Sequence, residues 1–249
     1  MKKTNKEVII VKKTVLITGG SRGIGKCAVE TFTKEGYNVA FTYLNSDEKA
    51  SNIATGCGAF PIKCDVSDSN EVKKAIDSVI KKFGKIDVLI NNAGIDEFCL
   101  FTEITDEKWH KMIDTNLSGV FYTTREVLKD MIKRQSGVVI NVSSMWGEVG
   151  ASCEVHYSVS KAGVIGLTKA LAKEVGPSNI RVNCVSPGVI DTDMNSHLSD
   201  EDINQLKYDT PLGKIGTCED VCNMLLFLSS ESASFITGQV FGINGGYII

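Results

Sequence analysis

The chain has 249 residues, with 27 Lys and Arg against 30 Asp and Glu and a formal net charge of -3. That length suits one large α/β domain or two small ones, and the near-balanced charge argues against nucleic acid or an anionic membrane as a partner. The longest apolar runs are strand-sized, which predicts no membrane span, and eight scattered cysteines without a disulfide rhythm fit a reducing cytoplasm.

Residues 1–11 read as an N-terminal extension with no partner element. Val11 is a candidate translation start, because codons for Lys6 to Val8 can form a purine-rich run. From Lys12 a domain is expected to run to residue 249. Thr14 to Thr18 is a short apolar run ending in glycine, a buried strand. TGGSRGIG, Thr18 to Gly25, follows, and a helical pattern runs on to Gly36. Asn38 to Tyr43 and Ala59 to Cys64 are strands, Asp68 to Phe83 is an amphipathic helix, and Asp87 to Asn91 is a strand entering NNAG. Thr105 is an expected N-cap for a helix carrying Asn116, with helix resuming to about Lys133. Gly137 to Ser143 is a strand and Val155 to Glu174 a long helix. Ile180 to Val185 is a strand closed by Pro187-Gly188. The polar segment 191–215 reads as a mobile lid over a substrate. A helix from Glu219 to Leu228 and a strand around Gln239 to Ile243 complete the chain.

Strands that are apolar throughout and alternate with helices predict a single-domain Rossmann fold, a doubly wound parallel sheet of about seven strands. Ligands of such sheets bind beyond the carboxyl ends of the strands, where the Gly- and Asn-rich breaks fall. TGGSRGIG ends a strand and opens a helix, the context that a dinucleotide phosphate requires. Gly19 permits the tight turn, Gly23 lets the backbone approach phosphate oxygens, and Gly25 allows close helix–strand packing. The second strand ends Thr42-Tyr43-Leu44-Asn45-Ser46 without an acid to hold a ribose diol, and Arg22 stands in the loop to pair with a 2′-phosphate. Both features favour NADP(H), against which Asp47 and Glu48 lie close by.

Tyr157 and Lys161 stand four apart, hence on one helix face. A cation beside a phenol favours the phenolate, which makes a proton donor and acceptor for carbonyl chemistry. No metal site is expected; Cys218 and Cys222, one turn apart with no second pair at zinc spacing, read as buried or idle thiols.

Taken in order, Thr18 to Gly25, Asn91 to Gly94, Ser144, Tyr157 and Lys161 resemble the short-chain dehydrogenase/reductase family, over essentially Lys12 to the C-terminus. The resemblance implies that Tyr157 protonates the carbonyl oxygen and that Lys161 lowers its pKa and holds the nicotinamide ribose. It implies that Ser144, rather than Ser143, bonds the substrate oxygen, and that Asn116 holds a relay water. It further gives the cofactor Ser21 and Ile24 in the Gly loop, Asn45 and Ser46 after the second strand, and Asp65 and Val66 at the adenine. Asn91, Ala93 and Gly94 are assigned to the adenosine ribose, and Pro187, Gly188, Ile190 and Thr192 to the nicotinamide side. Family members are commonly homotetramers.

GGSRGIG, NNAGI, YSVSKAGVIGLTKALAKE and IRVNCVSPGVIDTDM look like the 3-oxoacyl-[acyl-carrier-protein] reductases of fatty-acid synthesis, which implies a small-molecule or carrier-tethered ketone as substrate. Departures gather at Asp96-Glu97 and Cys153-Glu154. With Glu148, these acids would repel an acidic carrier and attract a cation. SSMWGEVGASCEV is also similar to reductases acting on a ketone carried by a modified lysine of a translation elongation factor. Met145, Trp146, Cys153, Glu154 and Met194 are the candidate substrate pocket. A different class, a non-catalytic NADP-binding sensor, uses the same fold.

Overall fold

The computed structural model describes residues 12–195 and 199–249; the N-terminal extension lies outside the described residues. Seven parallel strands form one sheet in the order β3-β2-β1-β4-β5-β6-β7. They are β1 (Thr14–Ile17), β2 (Asn38–Tyr43), β3 (Phe60–Lys63), β4 (Val88–Asn91), β5 (Gly137–Val142), β6 (Ile180–Pro187) and β7 (Val240–Ile243). The sheet and its helices confirm the expected α/β class. Strand order reverses between β1 and β4, and a crevice opens beyond the carboxyl ends there.

Alternation along each strand divides the apolar side chains between two layers. Val15 and Ile17, Val88 and Ile90, and Ile140 and Val142 face one layer. That layer is closed by α1 (Gly23–Lys34), α2 (Asp47–Cys57) and α9 (Cys218–Ser229), through Ala28, Phe32, Ile53, Val221 and Leu225. Leu16, Leu89 and Val139 face the other layer. There α3 (Ser69–Phe83), α5 (Gly119–Arg134) and α7 (Val155–Val175) supply Ile76, Val79, Leu128, Met131 and Ala172. Fully buried Phe32 and Phe41, both in the first layer, are each worth about 2–3 kcal/mol of apolar transfer.

The caps follow the sequence. Asp68 accepts hydrogen bonds from Asn70 N and Glu71 N, and Thr105 accepts from Lys108 N to start α4 (Asp106–Ile113). Three helices go beyond the sequence reading. α2 follows β2 directly, α6 (Trp146–Val149) is a single turn, and α8 (Asp200–Asp209) lies inside the expected lid. α8 begins with a capping box in which Ser199 and Asp202 satisfy each other's backbone N–H groups. His197 and Leu198 of that lid, and the side chain of Met194, lie outside the described residues. Between α4 and α5, residues Asp114–Ser118 form a π-helical turn rather than a plain α-helical continuation.

Candidate active site

A cleft of about 710 Å³ runs across the strand ends and gathers most of the residues singled out from the sequence. Its phosphate end is the Gly loop. Gly19 and Gly23 have φ of +69° and +51°, in the left-handed region where a side chain strains the backbone. A Cβ on Gly25 would fall 2.1 Å from Gly19 O and 2.5 Å from the Asn92 amide nitrogen, so α1 meets the strand end with no room for a methyl group. The N-cap of α1, Arg22, makes no side-chain cap, and no acid stands in the first turn. The N–H groups of that turn are thus available to an anion. These features fit a dinucleotide diphosphate.

Asn92, which the sequence reading passed over, holds the loop. Its amide donates to Thr18 O and Gly19 O at 3.0 and 3.2 Å, while Thr18 Oγ1 accepts from Asn92 N and Ala93 N at 3.0 Å each. The preceding residue differs from expectation. The Asn91 side chain is buried and faces away from the cleft. It donates to Thr124 Oγ1 and Asn141 Oδ1 at 2.9 and 2.8 Å and accepts from Thr123 Oγ1 at 2.6 Å. Strand alternation turns Asn91 toward α5 and gives the cleft Asn92, Ala93 and Gly94 instead.

At the end of β2 the cleft is walled by Tyr43, Leu44, Asn45 and Ser46, with Asp65 and Val66 beyond β3. Asp47 is drawn aside, with its carboxylate 2.9 Å from Lys63 Nζ and bonded to Tyr43 OH at 3.2 Å. Ser21, Arg22 and Ile24, and on the far wall Pro187, Gly188, Ile190 and Thr192, also line the cleft.

At the reaction end Tyr157 and Lys161 project from α7, both buried. Ser144 hydrogen-bonds the Tyr157 phenol, and its oxygen accepts from Trp146 N at 3.2 Å. Ser143 is turned the other way and donates to Lys161 O at 2.9 Å, as alternation past β5 requires. Lys161 Nζ donates to Val142 O at 3.0 Å and stands 5.7 Å from the Tyr157 ring centroid. Burial raises the Tyr157 pKa above its usual value, the Ser144 bond opposes this, and Asp96 and Glu154 push it further up. Burial lowers Lys161 to about 8. Desolvation, rather than the ammonium, therefore has the largest effect on the phenol in this structure.

Asn116 sits fully buried in the π-helical turn. Its side chain spans to the loop after β4: Nδ2 donates to Ile95 O at 2.8 Å and to Ser160 Oγ at 3.1 Å, and Oδ1 accepts from Ile95 N at 2.9 Å. A Cβ on Gly94 would meet Asn116 Oδ1 at 3.3 Å and Lys161 Nζ at 3.4 Å, so Asn116 does not line the cleft itself but backs Gly94 and Lys161, which do. π-Turns recur at functional sites because the widened turn re-aims a side chain.

The substrate end is lined by Met145, Trp146, Glu154, Asp96, Phe98 and Leu206. Cys153 does not reach it. Its backbone is left-handed, with φ 62°, and its carbonyl accepts from Cys99 N at 2.7 Å, which turns the residue toward the 95–100 loop. Of the four acids expected around the mouth, Asp96 and Glu154 line the cleft. Glu97 is paired with Lys108 at 2.7 Å, and Glu148 lies off the cleft wall. Among the described residues no cluster of His, Cys, Asp or Glu is arranged to hold a metal, and no helix is long and apolar enough to cross a membrane.

The fold, the Gly loop and the Ser–Tyr–Lys corner together define a nicotinamide-dinucleotide oxidoreductase. A family model described as enoyl-(acyl carrier protein) reductase matches residues 19–248, and the chain belongs to the short-chain dehydrogenase/reductase family. It is 43% identical over 239 residues to a Staphylococcus aureus (strain Mu50) protein named 3-oxoacyl-[acyl-carrier-protein] reductase FabG, covering 94% of this chain and 97% of that one. Proteins of the same name from Staphylococcus epidermidis (strain RP62A) and Chlamydia muridarum are 41% and 40% identical, covering 95% and 96% of this chain and 99% and 98% of theirs. The chain is accordingly an enzyme, an oxidoreductase acting on a CH–OH or keto group.

Proposed function

We propose that the protein is an NADPH-dependent 3-oxoacyl-[acyl-carrier-protein] reductase of fatty-acid synthesis, working in the cytoplasm as a homotetramer. The observation that carries the reaction is the Ser144–Tyr157–Lys161 corner inside a cleft whose other end is a dinucleotide loop. The substrate assignment is supported by the name shared by relatives that match the chain nearly end to end. The choice of NADPH is supported by Arg22 in the loop and by a β2 end whose nearest acid, Asp47, is held by Lys63.

Pro187, Gly188, Ile190 and Thr192, which line the cleft, would hold the nicotinamide end of a bound dinucleotide, and that group would supply the hydride for the ketone carbon. The protein's part is the proton and the oxygen. Burial keeps Tyr157 in its phenol form at neutral pH, so it carries the proton that the developing alkoxide requires. The Ser144 hydroxyl donates to the same oxygen, which favours the charge of the transition state over that of the ketone. Lys161, on the same helix face, replaces charge as the phenol loses its proton, and Asn116 fixes the Ile95 loop that closes the corner. With this proton and charge machinery in place, a purely sensing role is the weaker reading.

A second substrate reading is favoured by one observation: two carboxylates, Asp96 and Glu154, line the substrate end. They suit an amine-bearing ketone, such as one on a modified lysine of an elongation factor, better than an acidic carrier. A single assay separates the two. NADPH oxidation is followed with 3-oxoacyl thioesters and with amine-bearing ketones, using wild type, Tyr157→Phe and Glu154→Gln. The carrier reading expects turnover of the thioesters, near-complete loss of turnover in Tyr157→Phe with NADPH binding kept, and little effect of Glu154→Gln. Preference for the amine-bearing ketone, lost in Glu154→Gln, would replace it with the second reading. Substantial activity in Tyr157→Phe would refute the mechanism.

A further inference from the structure

Three thiols, among them Cys218 and Cys222 that read as buried or idle in the sequence, come together behind the Gly loop. Cys27 lies on the second turn of α1, Cys218 and Cys222 lie on the first two turns of α9, and the two helices pack on one face of the sheet. Cys27 and Cys222 are neighbours across the packed faces of the two helices, close enough for each to shift the protonation of the other. Cys222 is buried, and its sulfur lies 3.7 Å from Ile24 O in the turn that follows the Gly loop. Cys218 sulfur lies 3.7 Å from Asp191 O, at the root of the segment after β6. The cluster thus joins the dinucleotide loop to the base of the expected lid. Cys27 and Cys218 also line a second cleft of about 610 Å³. It shares Ser21, Arg22, Gly23 and Thr192 with the main one, so a small solute has a route to Cys27.

We propose that Cys27 and Cys222 are an oxidisable dithiol, which hydrogen peroxide closes to a disulfide that ties α1 to α9 and weakens dinucleotide binding. The neighbouring Cys222 thiol holds Cys27 below the usual thiol range, so the reactive thiolate forms at the more accessible of the two sulfurs. That thiolate attacks one peroxide oxygen. The O–O bond breaks, and hydroxide leaves and takes up a proton as water. The Cys222 sulfur then attacks the sulfenic acid on Cys27, giving up its proton as the S–O bond breaks and a second water leaves. Two thiols lose two electrons and two protons, and one peroxide becomes two waters. The S–S bond, about 2.05 Å, is much shorter than any non-bonded approach of two thiols. Closure therefore shifts α1 relative to α9 and removes the Cys222 contact with Ile24 O. The effect on binding rests on the cofactor reading given above, whereas the disulfide does not.

The test uses the full chain, treated with hydrogen peroxide, alkylated and mapped by mass spectrometry of its peptides, with NADPH affinity read by fluorescence titration. The expected result is one intramolecular cross-link between the Cys27 and Cys222 peptides, with titratable thiols reduced by two from the eight of the chain. A several-fold loss of NADPH affinity accompanies it, and dithiothreitol reverses both. Cys27→Ser is expected to bind NADPH as the reduced wild type does and to lose its response to peroxide. Cross-links between other cysteines, or sulfinic acid on Cys27 with no link to Cys222, would overturn the dithiol. A Cys27–Cys222 disulfide with unchanged affinity would overturn its link to the loop. If the reduced protein bound no NADPH, the cofactor reading would be at fault, and the peptide map would still decide the dithiol.

Discussion

The side-chain amide of Asn116 pairs with the backbone of Ile95 through two hydrogen bonds, donating to its carbonyl at 2.8 Å and accepting from its N–H at 2.9 Å. The pairing copies a rung of a β-ladder and joins the π-helical turn to the loop that carries Asp96 and Phe98 into the cleft. Truncation to Ala leaves both Ile95 groups unmatched in a partly buried site, at a cost of roughly 2–3 kcal/mol. Asn116→Ala is expected to show that loss in denaturant unfolding. A larger proportional fall in kcat than in NADPH affinity should accompany it, because the loop borders the reacting corner and not the phosphates.

Ser143 and Ser144 are adjacent hydroxyls with different partners, and their alanine variants should separate. Ser144→Ala removes a donor at the reacting oxygen and is expected to lower kcat by about 10²-fold with little change in melting temperature. Ser143→Ala removes only the bond to Lys161 O, worth about 1 kcal/mol, and should lower stability while leaving kcat within a few-fold of wild type. Steady-state kinetics and thermal melts of the pair check both halves, and equal kinetic effects would contradict the assignment.

Much of this site was legible because its residues sit where strands end and helices begin. Gly19, Gly23 and Gly25 announce themselves by the conformations and contacts that only glycine permits. What escaped the sequence was orientation. Asn91 and Asn92 are indistinguishable as letters, and only the β4 pleat decides which faces α5 and which holds the Gly loop. Asp47 looked close enough to contest the cofactor, and its engagement with Lys63 comes from β3, a strand away in space. The π-turn at Asn116 leaves no mark in a hydrophobic pattern, since one extra residue in a helix displaces the apolar face by less than a third of a turn. Cys153 fails for a similar reason: a left-handed backbone, unexpected for a non-glycine residue, turns it out of the cleft. The Cys222 contact with the Ile24 carbonyl joins helices almost two hundred residues apart and has no local signature.

Lys161 should carry a pH signature in stability. Burial holds its pKa near 8 in the folded chain, against about 10.4 when exposed. Between those values the unfolded chain binds more protons than the folded one, so this residue makes stability rise with pH across that window. Below it the buried charge is a constant penalty of ~3 kcal/mol, offset by about 1 kcal/mol from the bond to Val142 O. Lys161→Met is therefore expected to be more stable than wild type by about 2 kcal/mol at pH 7, with the gap narrowing from pH 8 to pH 10, and to be nearly inactive. Urea melts at several pH values decide it; a variant less stable at pH 7, or a gap that widens with pH, would show that the ammonium is not penalised by burial.

Arg22 offers the sharpest test of cofactor choice, because it occupies the loop without contributing to its backbone geometry. It is exposed, makes no cap to α1, and lines the same cleft as Asn45 and Ser46. A guanidinium pairing with a phosphate contributes roughly 1.5–3 kcal/mol, a factor of about 10 to 100 in affinity. Arg22→Ala should weaken NADPH by that factor and leave NADH nearly unchanged, since only NADPH carries the 2′-phosphate. Raising the salt concentration should weaken NADPH binding to wild type more than to the variant, because screening acts on the charge pair that the variant lacks. Equal losses for both dinucleotides would assign Arg22 to the shared diphosphate, and no loss for either would remove it from the site and return the NADP preference to the neutral β2 end alone.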